Sequence, residues 1–154
     1  MFRRTEPGPK PAKAWLGILC VLLASLPFGA LTGLMAGAGV LAGLPCLVCV
    51  PLCAYLYERI LKEPGSQAGL WIAALLGLAV CLTGLCVAYV RYLYQMDLEY
   101  GYSLEQAVGL LPSAIWDPEK LPLVRENLLS VCAAFLLGLF LGSRLRRLRL
   151  DKNA

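Results

Sequence analysis

Three charge-free runs divide this chain: residues 14–57, 65–90 and 127–143 contain no Asp, Glu, Lys or Arg, and the segments between them carry the charge. A hydrocarbon core takes about 20 helical residues, so the second and third runs predict one crossing each. The first is too long for one. At about 1.5 Å per residue it would reach roughly twice the ~30 Å core, so it should fold back once, and its Gly/Ala-rich stretch at 35–43 predicts the reversal. Four spans follow, at residues 14–34, 40–61, 68–92 and 123–143. In lipid every backbone N–H and C=O must be paired within the segment, and the runs lack the alternation of a barrel strand, so the spans are helices. The expected class is all-α, a polytopic membrane protein with four transmembrane helices in a bundle.

Composition agrees: 59% of the residues are hydrophobic and 16% charged, against roughly 25% charged in ordinary soluble domains. The distribution of charge adds an orientation, because Lys and Arg in short loops mark the cytoplasmic side. Arg3, Arg4, Lys10 and Lys13 precede the first span, Arg59 and Lys62 follow the second, and Arg144, Arg146, Arg147, Arg149 and Lys152 follow the fourth. The connection after the third span is acidic on balance, with Asp97, Glu99, Glu105, Asp117, Glu119 and Glu126 against Arg91, Lys120 and Arg125. Both termini are therefore expected in the cytoplasm and the long loop outside, with the plasma membrane, here a bacterial inner membrane, as location. Trp15, Trp71, Tyr55 and Tyr57 mark the inner boundary and Tyr89, Tyr92 and Tyr94 the outer one. The first apolar run continues well past the 7–15 residues of a signal h-region, so a retained anchor is expected.

This divides the chain into a disordered basic tail at 1–13, a transmembrane domain at 14–143 and a basic tail at 144–154. Within the outer loop, 93–122, Ser103 and Gln106 read as a capping box that opens a short interfacial helix, with Leu104, Val108 and Leu111 on one side, ending at Pro112. Trp116 is expected at headgroup level, followed by a turn at Asp117-Pro118.

Small residues point to helix contacts. Gly29, Gly33 and Gly37, then Gly39 and Gly43, then Gly138 and Gly142, recur at every fourth position and line one face of a helix, where another backbone can approach. Packing within the bundle is the expected use, and a homo-oligomer or larger membrane complex the alternative. Pro27, Pro45 and Pro51 should kink their spans. Arg144, Arg146, Arg147 and Arg149 are expected to meet anionic lipid headgroups, worth about 1 kcal/mol each near a charged surface. Nucleic acid is not an expected partner, since the basic tract has no stacking platform.

Candidate chemistry rests on cysteine. All seven cysteines fall in apolar runs and the chain has no histidine, which argues against a Cys/His metal site and leaves no histidine base for hydrolysis. Neither a metal nor a cofactor is expected. The segment Pro45-Cys46-Leu47-Val48-Cys49 resembles the Pro-Cys-x-x-Cys at the start of the second span in the four-span disulfide-generating quinone reductases of bacterial inner membranes. That resemblance implies a redox pair at Cys46 and Cys49 that passes electrons to quinone. Those enzymes carry a second pair in the loop between spans three and four, and residues 93–122 contain no cysteine. The order of features over most of the chain resembles small uncharacterised four-span bacterial membrane proteins, from which no activity carries over. Residues 14–57, 65–90 and 127–143 hold no carboxylate of the kind that proton-coupled transport uses. The reading that remains is a non-enzymatic structural, accessory or partner-binding component. Its alternatives are a thiol-disulfide/quinone oxidoreductase using Cys46 and Cys49, and a passive small-solute transporter or channel acting as an oligomer.

Overall fold

The structure, a computed structural model, describes residues 11–61, 67–97, 103–114 and 124–152. They form five helices and no strand: α1 (Pro11–Gly37), α2 (Leu44–Leu61), α3 (Gln67–Asp97), α4 (Leu104–Ala114) and α5 (Val124–Lys152). Three are long and apolar enough to cross a membrane, over Ala14–Gly37, Gly69–Gln95 and Val124–Leu148. α2 is not among them. Its 18 residues rise about 27 Å, just short of a ~30 Å hydrocarbon core, and its last turn holds Glu58 and Arg59.

The helix ends differ from the sequence expectation for local reasons. α1 runs to Gly37 and closes in a Schellman motif: the Val40 N–H donates to the Met35 carbonyl at 2.9 Å and the Gly39 N–H to the Ala36 carbonyl at 3.2 Å. That motif needs a left-handed residue, and Gly39 supplies it at φ 69°. α2 therefore starts at Leu44, not at residue 40, and the reversal tightens to residues 38–43. At the other end of the chain the basic tail is not separate from the last span. Arg and Leu are good helix formers, and α5 continues unbroken through Arg144, Arg146, Arg147 and Arg149 to Lys152. α3 likewise runs to Asp97, past the expected end at 92, and α1 begins at Pro11. The expected tail before Pro11, together with Trp116 and Asp117-Pro118, lies outside the described residues.

Contact register gives the directions of the helices. Gly29 and Gly33 of α1 face Val80 and Gly84 of α3, four residues apart in the same order, so these two helices are parallel. On α2 and α5, Gly43 meets Ser130, Val50 meets Gly138, and Glu58 meets Arg146, again in the same order. Tyr89 pairs with Asn127 and Leu70 lies beside Gly142, so α3 and α5 are antiparallel. Successive helices α1, α2, α3 and α5 therefore alternate in direction. Pro11 and Lys152, the described ends of α1 and α5, lie at one end and α4 at the other.

Burial is inverted relative to a soluble bundle. The interior stripe of α1 is Gly17, Val21, Ser25, Gly29, Thr32 and Ala36, spaced every three or four residues. On α2 the buried residues include Cys46, Cys49, Val50, Cys53 and Ala54, and on α3 Ala73, Ala74, Gly77 and Cys81. Large apolar side chains face outward instead, among them Leu23, Leu34, Leu129, Leu136 and Phe140. Lipid solvates leucine as well as a protein core does, so membrane helices associate through small side chains and close backbones. Trp15 is 71% exposed and Trp71 49% exposed, both at the end holding the start of α1, as an aromatic belt would be. Tyr57 and Tyr89, expected at the two boundaries, are buried: Tyr57 packs on Gly17, and Tyr89 accepts a bond from Asn127.

Candidate functional site

Four thiols meet at the centre of the bundle. Cys46, Cys49 and Cys53 lie three and four residues apart on one face of α2, and Cys81 reaches the Cys46 and Cys49 thiols from α3. All four are fully buried. The Cys49 and Cys53 sulfurs are 3.6 Å apart, and the Thr32 hydroxyl of α1 approaches Cys81. Gly77 makes room for the group: a Cβ there would stand 3.3 Å from the Cys49 sulfur and 3.7 Å from that of Cys53. Small, polarizable side chains with weak donors fill such a gap without an unpaired strong donor.

Cys46 and Cys49, the pair that the resemblance implies, both lie on the buried face of α2. α2 does begin just before Pro45, so Cys46 sits in its first turn. Its thiol points into the bundle toward Cys81 rather than to the surface, and the Cys49 sulfur meets both Cys53 and Cys81. These cysteines are free thiols. Among the described residues no group of three or more His, Cys, Asp or Glu side chains is placed to hold a metal ion. Cys86 and Cys132 are exposed on the apolar outer faces of α3 and α5. Sequence reasoning missed Cys81; the seven-residue step from Cys46 to Cys53 was the available signal that α2 turns one sulfur-bearing face inward.

The glycines separate into three kinds. Gly29 and Gly33 sit at close backbone crossings, where an added Cβ would stand 2.7 Å from the Val80 and Gly84 carbonyl oxygens respectively. Gly84, which the sequence reading passed over, is tighter still, its Cβ position falling onto the Gly29 carbonyl. Gly43 abuts the Ser130 backbone, and its N–H donates to the Ser130 hydroxyl at 3.1 Å. α5 thereby satisfies a donor at the start of α2 that has no partner within its own helix. Gly138 lies against Val50 and Leu47, and Gly142 makes ordinary contact with Pro51. Gly37 and Gly39 meet nothing within 4 Å, the first at the open end of α1 and the second in the turn.

At the end of the bundle holding Pro11 and Lys152, Arg146 turns back onto α2, its Nε 3.1 Å from Glu58 Oε1, with side chains 16% and 11% exposed. The two atoms are close but not aligned as a hydrogen bond. Arg146 thus faces a carboxylate rather than the surroundings. Arg144 lies over the Phe140 ring at 5.4 Å and is exposed, as is Arg147; the Arg149 side chain lies outside the described residues. At the opposite end the Asn127 amide donates to the Tyr89 hydroxyl at 2.7 Å, a buried tie between α3 and α5. The capping box of α4 forms, with the Ser103 N–H donating to Gln106 Oε1 at 2.8 Å and the Gln106 N–H to Ser103 Oγ at 3.4 Å. α4 continues past Pro112 to Ala114 and leaves Leu104 and Val108 exposed.

The large concavity is not on the bundle axis. It is a groove of about 850 Å³ on the outer flank, between α1 and α3, running from Leu26 and Val80 to Ala38 and Gln95. Gly29, Gly33 and Gly84 form its floor, and Arg91, Tyr92 and Gln95 its far end. No family model, curated protein or solved structure matches this chain.

Proposed function

We propose that this chain is a small four-span integral membrane protein, with both termini cytoplasmic, that serves as a non-enzymatic structural or accessory component. The observation that carries this reading is the composition of the interior. Among the described residues its buried polar side chains are Ser25, Thr32 and Asn127. The first two hydroxyls donate to carbonyls of their own helix, and the sulfur group beside them has no exposure. A transport path needs a wet or ionisable lining, and a thiol catalyst needs access for its partner. The concavity lies on the flank instead, so the molecule would act through its outer surfaces.

The alternation of α1, α2, α3 and α5 supports α2 as a fourth, shorter crossing between the other three. Both described chain ends share the end that carries Arg59, Arg144 and Arg147, which the positive-inside rule assigns to the cytoplasm of a plasma membrane. Function is tested by alkylating thiols in native membranes before and after reduction, with and without added quinone. The accessory reading expects Cys46, Cys49, Cys53 and Cys81 to stay reduced and unlabelled in every arm. A disulfide among them that forms or breaks with quinone would establish the oxidoreductase alternative instead.

A further inference from the structure

The flank groove has the dimensions of one lipid leaflet. Leu26, at its inner end, lies near the middle of the apolar stretch Ala14–Gly37. From Val80, which faces Gly29, to Arg91 is 11 residues, about 16 Å along α3, against about 15 Å for half of a ~30 Å hydrocarbon core. The inner part is apolar and walled by Leu26, Leu34 and Val87. Its outer end holds Arg91, whose side chain is exposed and has no ion-pair partner among the described residues, with Tyr92 and Gln95 beside it. A helix from a second copy would need a track through both leaflets, and the Gly29–Gly33 stripe that would receive it is already occupied by Val80 and Gly84.

We propose that this groove is a binding site for one anionic phospholipid, its acyl chain lying along the exposed Ala30, Leu34, Thr83 and Val87 and its phosphate held by Arg91. The guanidinium supplies a forked set of donors matched to phosphate oxygens, and Tyr92 and Gln95 add neutral ones. The site lies at the end of the bundle opposite the basic surface of Arg144 and Arg147, so it is distinct from general attraction to headgroups there.

The test places the full chain in phosphatidylcholine vesicles containing a small fraction of phosphatidylglycerol with a photoreactive group in its acyl chain, and maps crosslinks by mass spectrometry. Crosslinks should concentrate on α1 and α3 between residues 26 and 38 and between 80 and 95. Loss of one charge-assisted bond is worth about a factor of ten, so Arg91→Gln should lower that yield about tenfold while leaving crosslinks to Leu136 and Phe140 unchanged. Ala30→Leu, at an exposed position in the groove, should lower it without changing the charge. Equal labelling around the whole bundle, or labelling indifferent to both substitutions, would mean boundary lipid only and overturn the proposal. Competition by millimolar inorganic phosphate would overturn it in favour of a free anion, and crosslinks between two copies across the groove in favour of a dimer.

Discussion

Replacing Gly33 and Gly37 by alanine should change stability in opposite directions, although both lie on α1 one turn apart. At Gly33 the new Cβ would stand 2.7 Å from the Gly84 carbonyl oxygen, whereas at Gly37 it would meet nothing within 4 Å. The Gly33 obstacle is backbone, so relief requires α1 and α3 to separate by several tenths of an ångström over a surface that also includes Gly29 and Val80. Overpacking a well-fitted site costs typically 1–3 kcal/mol, and a backbone obstacle places this one near the top of the range. Alanine recovers up to about 1 kcal/mol through helix propensity. The net expectation is a loss of about 2 kcal/mol for Gly33→Ala, a factor of roughly 30 in the folding equilibrium. Gly37→Ala, near the helix end, should be neutral or stabilising by up to about 0.5 kcal/mol. Reversible unfolding in mixed micelles, followed by helical circular dichroism, measures both. Equal losses at the two positions, or no loss at Gly33, would refute the close α1–α3 crossing.

Three further substitutions probe the polar ties. Ser130→Ala removes the acceptor for the Gly43 N–H and should cost about 1 kcal/mol, as loss of a helix cap does; the same unfolding assay reads it, and hydrogen exchange should speed up at Gly43 in particular. Tyr89→Phe leaves the Asn127 amide without its hydroxyl and should cost about 1 kcal/mol, near the upper part of the range for hydrogen bonds between membrane helices. A double-mutant cycle on Glu58→Gln and Arg146→Gln should give a coupling of about 1 kcal/mol, reduced by salt because both side chains retain some exposure. A coupling of zero would place Arg146 among lipid headgroups, as its position in the basic tract suggests.

The apolar runs made the helices legible, since lipid leaves the backbone one way to pair over such lengths. The capping box at Ser103 and Gln106 was legible for a similar reason, being a local exchange of two bonds. Helix ends were less so. Gly39 and Gly43 look alike in the chain, yet one takes a left-handed turn and the other a backbone contact with Ser130, a difference set by a helix almost ninety residues away in sequence. The same applies to sulfur. Cys46 and Cys49 carry a redox-like spacing, but the spacing is also that of one inward helix face, and only the position of Cys81 on α3 decides what the thiols meet. Arg146 reads as part of a basic tract until α5 is wound past Glu58. The flank groove has no local signature, because it lies between two helices that are not neighbours in the chain.

The parity of the crossings is the most direct test of the account. Four spans put the two ends of the chain on one side of the membrane, and three put them on opposite sides. In a chain with Cys20, Cys86 and Cys132 replaced by alanine, which leaves only the four buried thiols, cysteines introduced one at a time as Thr5→Cys, Ser113→Cys and Asn153→Cys are exposed to a membrane-impermeant maleimide in intact cells and after permeabilisation. With four spans, Ser113→Cys is labelled in intact cells, and Thr5→Cys and Asn153→Cys only after permeabilisation. Labelling of one terminus and not the other in intact cells would mean an odd number of crossings and contradict a membrane-spanning α2.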